Sequence, residues 1–104
     1  MSYSVLKKCL GHYIDFVIQL YTFDCEKELS YFAEKLKGCL DEKAYSYIIE
    51  KVKYIDSLKD CMFKRMHANE LKIELIYNDV LSKILSKSCK SRVRRSQDRY
   101  QYSF

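Results

Sequence analysis

The chain has 104 residues, which is enough for one domain with a single hydrophobic core. It contains no Pro, no Trp and only two Gly, so the composition favours a few long helices over many short strands. Charge is unevenly distributed: residues 1–85 carry thirteen Lys or Arg and thirteen Asp or Glu, whereas residues 86–104 carry six cations and one acid. The whole net charge of +5 therefore lies in the last segment.

Cysteine usage bears on the cellular compartment. The five cysteines are Cys9, Cys25, Cys39, Cys61 and Cys89. Their number is odd, they form no Cys-x-x-Cys pair, and the first residues lack the basic and then apolar order of a secretory signal. The longest apolar run, residues 13–23, is shorter than the roughly 20 residues that span a bilayer. We expect reduced thiols in a soluble cytoplasmic protein with no membrane partner.

The first segment predicts two helices. Ser4 is the expected N-cap of a helix that continues to about Phe23, with Gly11 in its interior, where a neighbouring helix would approach closely. The apolar residues expected to be mostly buried are Val5, Leu6, Cys9, Leu10, Tyr13, Ile14, Val17, Ile18 and Tyr21. Asp24 is the expected cap of a short second helix that ends before Gly38. Its predicted buried residues are Leu29, Phe32, Ala33 and Leu36.

Residues 41–85 have apolar positions that recur every three or four residues, as in amphipathic helices. Asp41 is the expected N-cap of a third helix that either continues to Met66 or breaks near Ser57. Its predicted apolar face is Tyr45, Ile48, Ile49, Val52, Ile55, Met62 and Met66. Residues 67–69 form a predicted corner, with Asn69 as the N-cap of a fourth helix that ends near residues 86–88. Its apolar face is Leu71, Leu75, Ile76, Val80, Ile84 and Leu85.

These elements predict an all-α bundle of four to five helices over residues 1–88, followed by a basic, disordered tail over residues 89–104. The tail contributes the strongest charge asymmetry of the chain. Its cations, together with one at the end of the last helix, are Lys87, Lys90, Arg92, Arg94, Arg95 and Arg99. They could neutralise phosphates of DNA or RNA, with Tyr100, Tyr102 and Phe104 stacking on bases, or they could only keep the protein soluble.

The sequence offers little for catalysis or metal binding. Cys9 and His12 would share one face of a helix, but a structural zinc site needs four ligands. Cys61 and His67 are six residues apart, a spacing that does not align a thiol with a base on one helix. Glu70 and Glu74 are typical surface carboxylates, and no phosphate-binding loop occurs. We therefore expect no enzyme, no cofactor, no metal and no small-molecule substrate.

The order of elements resembles the C-terminal helical collar domain of clamp-loader subunits, in particular the bacterial DNA polymerase III delta-prime type. The residues that carry the resemblance are the segment Phe32-Ala33-Glu34-Lys35-Leu36, the corner His67-Ala68-Asn69 and the helix that begins Leu71-Lys72-Ile73-Glu74. It covers about three quarters of the chain and includes no ATPase part. The resemblance implies a non-catalytic assembly domain that packs against other replication subunits, with no catalytic residue carried over.

An assembly domain would bind its partner through exposed side chains of the third and fourth helices. The predicted anchors are Tyr45, Tyr54, Met62 and Tyr77, because aromatic and Met side chains are enriched at interface cores. Ordinary packing is the alternative for each of them. Two other functions stay open on sequence alone: a small nucleic-acid-binding protein that acts through its basic tail, and a viral or regulatory helical adaptor.

Overall fold

A computed structural model describes residues 2–88 and, in the last helix, side chains as far as Ser86. The helices are α1 (Tyr3–Thr22), α2 (Leu29–Ala33), a 3₁₀ turn (Glu34–Leu36), α3 (Glu42–Ser57), α4 (Cys61–Tyr77) and α5 (Val80–Ser88). The described residues contain no strand. The all-α prediction is confirmed. The predicted tail, residues 89–104, lies outside the described residues.

One hydrophobic core receives side chains from all five helices. Its members are Cys9, Phe16, Leu20, Phe23, Leu29, Ala33, Leu36, Cys39, Leu40, Ile48, Val52, Ile55, Ala68, Leu71, Leu75, Val80 and Ile84. No polar or charged residue in the described part of the chain is buried. Removal of this apolar surface from water is what holds the helices together.

Helix α1 begins earlier than predicted and turns a different side inward. Ser2, not Ser4, is the N-cap, and its Oγ accepts a hydrogen bond of 3.3 Å from the Val5 amide. The core takes Phe16 and Leu20. The residues of α1 that were predicted to be buried and are exposed are Val5, Ile14, Ile18 and Tyr21. The helix is apolar on several sides, so periodicity alone does not fix which side faces the core.

The two glycines, Gly11 and Gly38, have open space where a side chain would be. A Cβ at Gly11 would meet no atom within 4 Å, so the expected close approach of a neighbouring helix is wrong. Gly38 follows the 3₁₀ turn with φ +86°, a conformation that favours glycine over residues with a side chain. The predicted stop before Gly38 is confirmed.

The N-terminus of α2 is capped by a distant residue. Asp24 accepts a hydrogen bond from the Glu26 amide at 3.0 Å within a turn, so the predicted cap at Asp24 is wrong. The carboxylate of Asp56, on α3, accepts instead from the amides of Leu29 at 2.9 Å and Ser30 at 3.0 Å. A local sequence pattern cannot reveal this cap, because its acceptor lies more than 25 residues away along the chain.

Helix α3 begins as predicted, with the Asp41 carboxylate accepting from the Ala44 amide at 2.7 Å. It ends at Ser57, the break that the sequence left open, and Asp60 then caps α4 by accepting from the Met62 amide at 2.8 Å. The predicted corner at residues 67–69 is wrong. Helix α4 continues through it, and Ala68 lies in the core with no exposed surface.

The true corner lies ten residues later, at Asn78 and Asp79. Asp79 has φ +50°, a left-handed conformation that Asp and Asn tolerate better than most residues. Its carboxylate accepts from the Ser82 amide at 3.3 Å, near the start of α5. The apolar positions before and after this point keep a helical spacing, and for that reason the sequence predicts one helix through it.

Two disulfide bonds cross-link the bundle. Cys9 on α1 is bonded to Cys39 after the 3₁₀ turn, and Cys25 in the α1–α2 loop is bonded to Cys61, the first residue of α4. The Cα atoms are 5.6 Å apart in both pairs. The expectation of reduced thiols is therefore wrong for four of the five cysteines, because the fold brings residues of remote sequence position together. Cys89 lies outside the described residues.

Candidate protein-binding surface

Helix α4 is apolar on two sides. One side gives Ala68, Leu71 and Leu75 to the core. The other side leaves Met62, Met66, Ile73 and Ile76 in contact with solvent, with exposed fractions of 76%, 47%, 55% and 62%. Their spacing, with Asn69 between the two pairs, follows the three- and four-residue steps of a single helix face. The outward face of α4 is therefore an apolar stripe with one polar residue, the exposed Asn69, near its middle.

Helix α1 adds a second exposed stripe. Ile14, Ile18 and Tyr21 are four and then three residues apart and are exposed by 53%, 48% and 58%. Helices α1 and α4 pack against each other, and Lys72 Nζ lies 4.6 Å from the ring centroid of Tyr21.

The Cys25–Cys61 disulfide sets the end of α1 beside the start of α4. The pKa of Tyr13, earlier on α1, is raised first by burial and then by the negative charge of Asp79, which follows α4. We call the residues Ile14, Ile18, Tyr21, Met62, Met66, Ile73 and Ile76 the α1–α4 face.

A groove of about 510 Å³ opens at one end of this face. It is lined by Leu20, Tyr21, Thr22, Phe23, Met62, Arg65, Met66, Asn69 and Lys72. Leu20 and Phe23 are buried and form its floor, whereas Met62 and Met66 are exposed on its wall. Of the described residues, Arg65 and Lys72 are the only charged ones that line the groove, which is thus apolar with a positive border.

The Cys25–Cys61 disulfide joins the two walls of the groove. Cys61 directly precedes Met62, and Cys25 follows Phe23 by two residues. Cys61 is exposed and Cys25 partly buried, whereas Cys9 and Cys39 of the other disulfide lie in the core. The covalent link fixes the start of α4 beside the end of α1, which are the elements that form the groove.

A third side of α4, the one that faces α3, makes polar and ring contacts with that helix. The Tyr47 hydroxyl donates a hydrogen bond to the Glu74 carboxylate, and this bond is the main reason that the pKa of Tyr47 is raised. The rings of Tyr54 and His67 meet edge to face, with centroids 5.3 Å apart. These contacts hold α3 to α4, so this side of the helix is occupied from within the chain.

The four predicted interface residues do not form one patch. Tyr45 is partly buried and packs against the core, and Tyr54 lies beside His67. Met62 lines the groove, and Tyr77, the last residue of α4, is 88% exposed. Their participation in an interface stays a prediction.

Most of the α1–α4 face was predicted to be buried. The residues assigned to core-facing sides were Ile14, Ile18, Tyr21, Met66 and Ile76, and Met62 was assigned both to such a side and to a possible interface. A signal was present: residues 61–77 contain two apolar sets, each at helical spacing but on different sides of one helix. Two sets that are out of phase predict one helix that is apolar on two sides, whereas the prediction divided them between two helices.

The side chains considered for catalysis or metal binding have other roles here. Cys9 is bonded to Cys39 and Cys61 to Cys25, so neither thiol is available beside a histidine. Glu74 accepts from Tyr47, and Glu70 Oε2 lies 3.5 Å from His67 Nδ1. Among residues 2–88, no three His, Cys, Asp or Glu side chains are grouped so as to hold a metal ion.

The predicted nucleic-acid contacts fall at the end of the chain. Lys87 belongs to α5, where its side chain is not described. The other five cations, Lys90, Arg92, Arg94, Arg95 and Arg99, lie outside the described residues. The hypothesis of phosphate binding by these side chains therefore rests on the sequence alone.

No protein-family model, curated protein or solved structure matches the chain. Within the described residues, no helix combines the length and the apolar character that crossing a membrane requires. The α1–α4 face is thus the feature of the described structure that carries a functional argument.

Proposed function

We propose that this chain is a non-catalytic protein-interaction domain that binds a partner protein through the α1–α4 face. One observation carries the proposal: seven large apolar side chains, exposed by 47% to 76%, lie on two adjacent helices. Single exposed apolar residues are normal on protein surfaces, whereas contiguous patches mark sites of association. Burial of such a face against a partner would remove it from water, which is the main favourable term in association.

The residue types on the face suit binding more than folding. Met62 and Met66 are flexible, polarizable side chains that adapt to the shape of a partner. Tyr21 offers a broad ring, and aromatic and Met residues are enriched at interface cores. None of these three side chains is needed to complete the core, which is filled by other residues of α1 and α4.

The disulfides support an oxidising compartment rather than the cytoplasm that the cysteine pattern suggested. Disulfides persist in secreted, periplasmic and similar environments and are rare where thiol reductants act. Mass spectrometry of the protein from its native source, after alkylation without reduction, tests this point. Peptides that contain Cys9 linked to Cys39 and Cys25 linked to Cys61 are expected, and four alkylated thiols would contradict the assignment.

A clamp-loader collar is one assembly of the proposed kind, and replication subunits are the partners that the sequence resemblance implies. Two findings weigh against that particular partner. The Asn-containing corner used for the resemblance lies inside α4, and disulfides are uncommon in the compartment where replication takes place. The proposal of an assembly domain does not depend on this partner.

Site-specific photo-crosslinking tests the proposed surface directly. A photoreactive amino acid replaces Ile73 in the centre of the face or, as a control, the exposed Lys53 on α3, in the full chain expressed in its native cells. We expect a discrete protein adduct from position 73 and none from position 53. An adduct at neither position, in variants whose circular dichroism is that of the wild type, would contradict the proposal.

A second variant tests whether formation of the adduct depends on the apolar side chains of the α1–α4 face. Ile76→Glu, combined with the photoreactive residue at position 73, places a charge one helical turn away without touching the core. We expect the adduct to be lost because the charge would have to be desolvated in the interface. An undiminished adduct would show that the partner contacts position 73 without using the apolar stripe.

The charge asymmetry of the sequence supports a second candidate function, nucleic-acid binding by residues 87–104. If all six cations engage phosphates of duplex DNA, log affinity falls with log salt at a slope of about −5. Fluorescence anisotropy with labelled duplex DNA and single-stranded RNA measures the slope for the full chain and for a chain that ends at residue 86. Equal affinity of the two chains would exclude the tail as the binding element.

A further inference from the structure

We infer that the groove between α1 and α4 binds an acidic amphipathic helix of a partner protein. The inference rests on the proposed interaction function and names the class of ligand that the groove selects. It follows from the shape of the groove, from the sign of the charges at its border, and from the exclusion of two other occupants.

The shape of the groove suits the apolar side of a helix. Its floor is formed by Leu20 and Phe23, and its walls by Tyr21 on α1 and by Met62 and Met66 on α4. A volume of about 510 Å³ accommodates more than one large side chain. Helix-in-groove recognition places apolar anchors of the ligand at positions i, i+3, i+4 and i+7 in such a cleft.

The charges at the border specify the ligand's sign. Arg65 and Lys72 both line the groove, and no Asp or Glu within residues 2–88 does. They are seven residues apart, so they lie two turns and about 10 Å from each other along α4. Two carboxylates separated by two turns on a ligand helix would match this distance. Complementary charges at an interface favour an acidic partner here, and they disfavour a basic one because like charges repel.

Lys72 also contacts the opposite wall of the groove. Its ammonium group lies 4.6 Å from the centroid of the Tyr21 ring, in a cation–π contact between the two walls. The contact places the cation at the border of the groove, where the inferred ligand would present a carboxylate.

A second copy of the chain does not fit groove to groove. If the two grooves met in a symmetric dimer, Arg65 and Lys72 of one copy would lie near the same two cations of the other. Residues 86–104 of the chain itself are also excluded as occupants of the groove, because their net charge is positive: they carry six cations and one acid. The occupant must bring negative charge to the border, which neither the groove of a second copy nor the net positive segment 86–104 supplies.

Binding of designed peptides to the full, disulfide-bonded chain tests the inference. The first peptide, of about 15 residues or roughly four helical turns, has Leu on one helix face and Glu on the other. The second replaces every Glu by Lys, and the third has the composition of the first with the leucines distributed around the helix. Fluorescence anisotropy should detect binding of the first peptide, with affinity at least about tenfold lower for the other two.

Charge reversal in the protein provides the matched comparison. The double variant Arg65→Glu/Lys72→Glu should weaken the Glu peptide at least tenfold and strengthen the Lys peptide. The control Lys37→Glu/Lys53→Glu makes the same change in net charge at exposed positions outside the groove and should leave the preference unchanged. Equal binding of the Glu and Lys peptides, or an equal effect of the two double variants, would overturn the inference, as would absence of binding by the Glu peptide.

The peptide experiment and the photo-crosslinking experiment can fail independently, so a wrong ligand class can be told apart from a wrong interaction function. If the photoreactive residue at position 73 yields a protein adduct and the Glu peptide does not bind, the interaction function holds and the acidic ligand class is wrong. If the peptide binds with the expected charge preference and position 73 yields no adduct, the groove recognises acidic helices and the wider α1–α4 face is not an interface.

Discussion

Helices α3 and α4 are consecutive, similar in length and packed against each other, yet they use their apolar residues differently. Helix α3 buries Ile48, Val52 and Ile55, and Tyr47 and Tyr54 on its other sides make polar or ring contacts with α4. Helix α4 buries Ala68, Leu71 and Leu75 and still leaves a second apolar stripe in water. One stripe is sufficient to attach a helix to a core, so the second stripe of α4 is the part of the helix on which the proposed association with another molecule depends.

The two helices also differ in how they are held at their starts. Each has an Asp cap, Asp41 before α3 and Asp60 before α4. Helix α4 is in addition covalently joined to the α1–α2 loop through Cys61. The helix with more of its apolar surface outside the core thus has an extra constraint at its N-terminus.

The largest expected difference between the helices is in how the stability of the fold responds to an introduced Asp. Ile48→Asp on α3 or Val80→Asp on α5 should unfold the bundle, because an unpaired buried charge costs several kcal/mol against a total stability of roughly 5 to 15 kcal/mol. The same change on the outward side of α4, Ile73→Asp, should leave the fold intact, since the added carboxylate stays in water. Thermal melts followed by circular dichroism separate the three variants. Wild-type-like melting of Ile48→Asp would show that the core is assigned to the wrong face.

Loss of a disulfide should have the next largest effect. The cysteines of the two bonds are 30 and 36 residues apart, and cross-links over loops of this size contribute about 3 to 5 kcal/mol in the chain-entropy model. Cys9→Ala/Cys39→Ala should destabilise more than Cys25→Ala/Cys61→Ala, because Cys9 and Cys39 also pack in the core. Urea unfolding measures both differences. Unchanged midpoints in the second variant would mean that the Cys25–Cys61 bond does not hold the start of α4.

A smaller effect is expected from the cap that α3 provides to α2. Asp56→Ala removes the acceptor of the Leu29 and Ser30 amides and should lower the free energy of unfolding by about 0.5 to 2 kcal/mol. Glu50→Ala, an exposed acid on the same helix, is the matched control and should change it little. Amide hydrogen exchange should report faster exchange at Ser30 only in the Asp56 variant. Equal exchange in both variants would remove the capping role.

The smallest effect concerns the hydrogen bond between α3 and α4. Tyr47 is exposed, so Tyr47→Phe should lower the melting temperature only slightly at neutral pH. The raised pKa of Tyr47 sets the sign of the pH dependence: the bond to Glu74 stabilises the fold below the ordinary pKa of 10.0 and is lost as pH rises through the raised value. The difference in melting temperature between wild type and Tyr47→Phe should therefore disappear in alkaline solution. A gap that widens with pH would contradict the assigned donor.

The sequence was sufficient at several places where structure depends on neighbouring residues, although the predicted caps at Ser4, Asp24 and Asn69 were wrong. Asp41 caps α3, Gly38 ends the element before it, and the apolar positions of α2 and α3 face the core, as their spacing predicted. These features involve residues within a few positions of each other, where the backbone and its local hydrogen bonds decide the outcome. The corner at residues 67–69 failed because two apolar stripes on one helix look like two helices when only spacing is considered.

By itself, the sequence determined that the chain is helical, because its apolar residues recur at helical intervals with few residues that interrupt them. The tertiary structure decided which stripe of α1 and α4 enters the core, which cysteines pair, and that Asp56 caps a helix far from it in sequence. The physical reason is that periodicity reveals an apolar side, whereas burial, cross-links and distant caps depend on what the rest of the chain places against it.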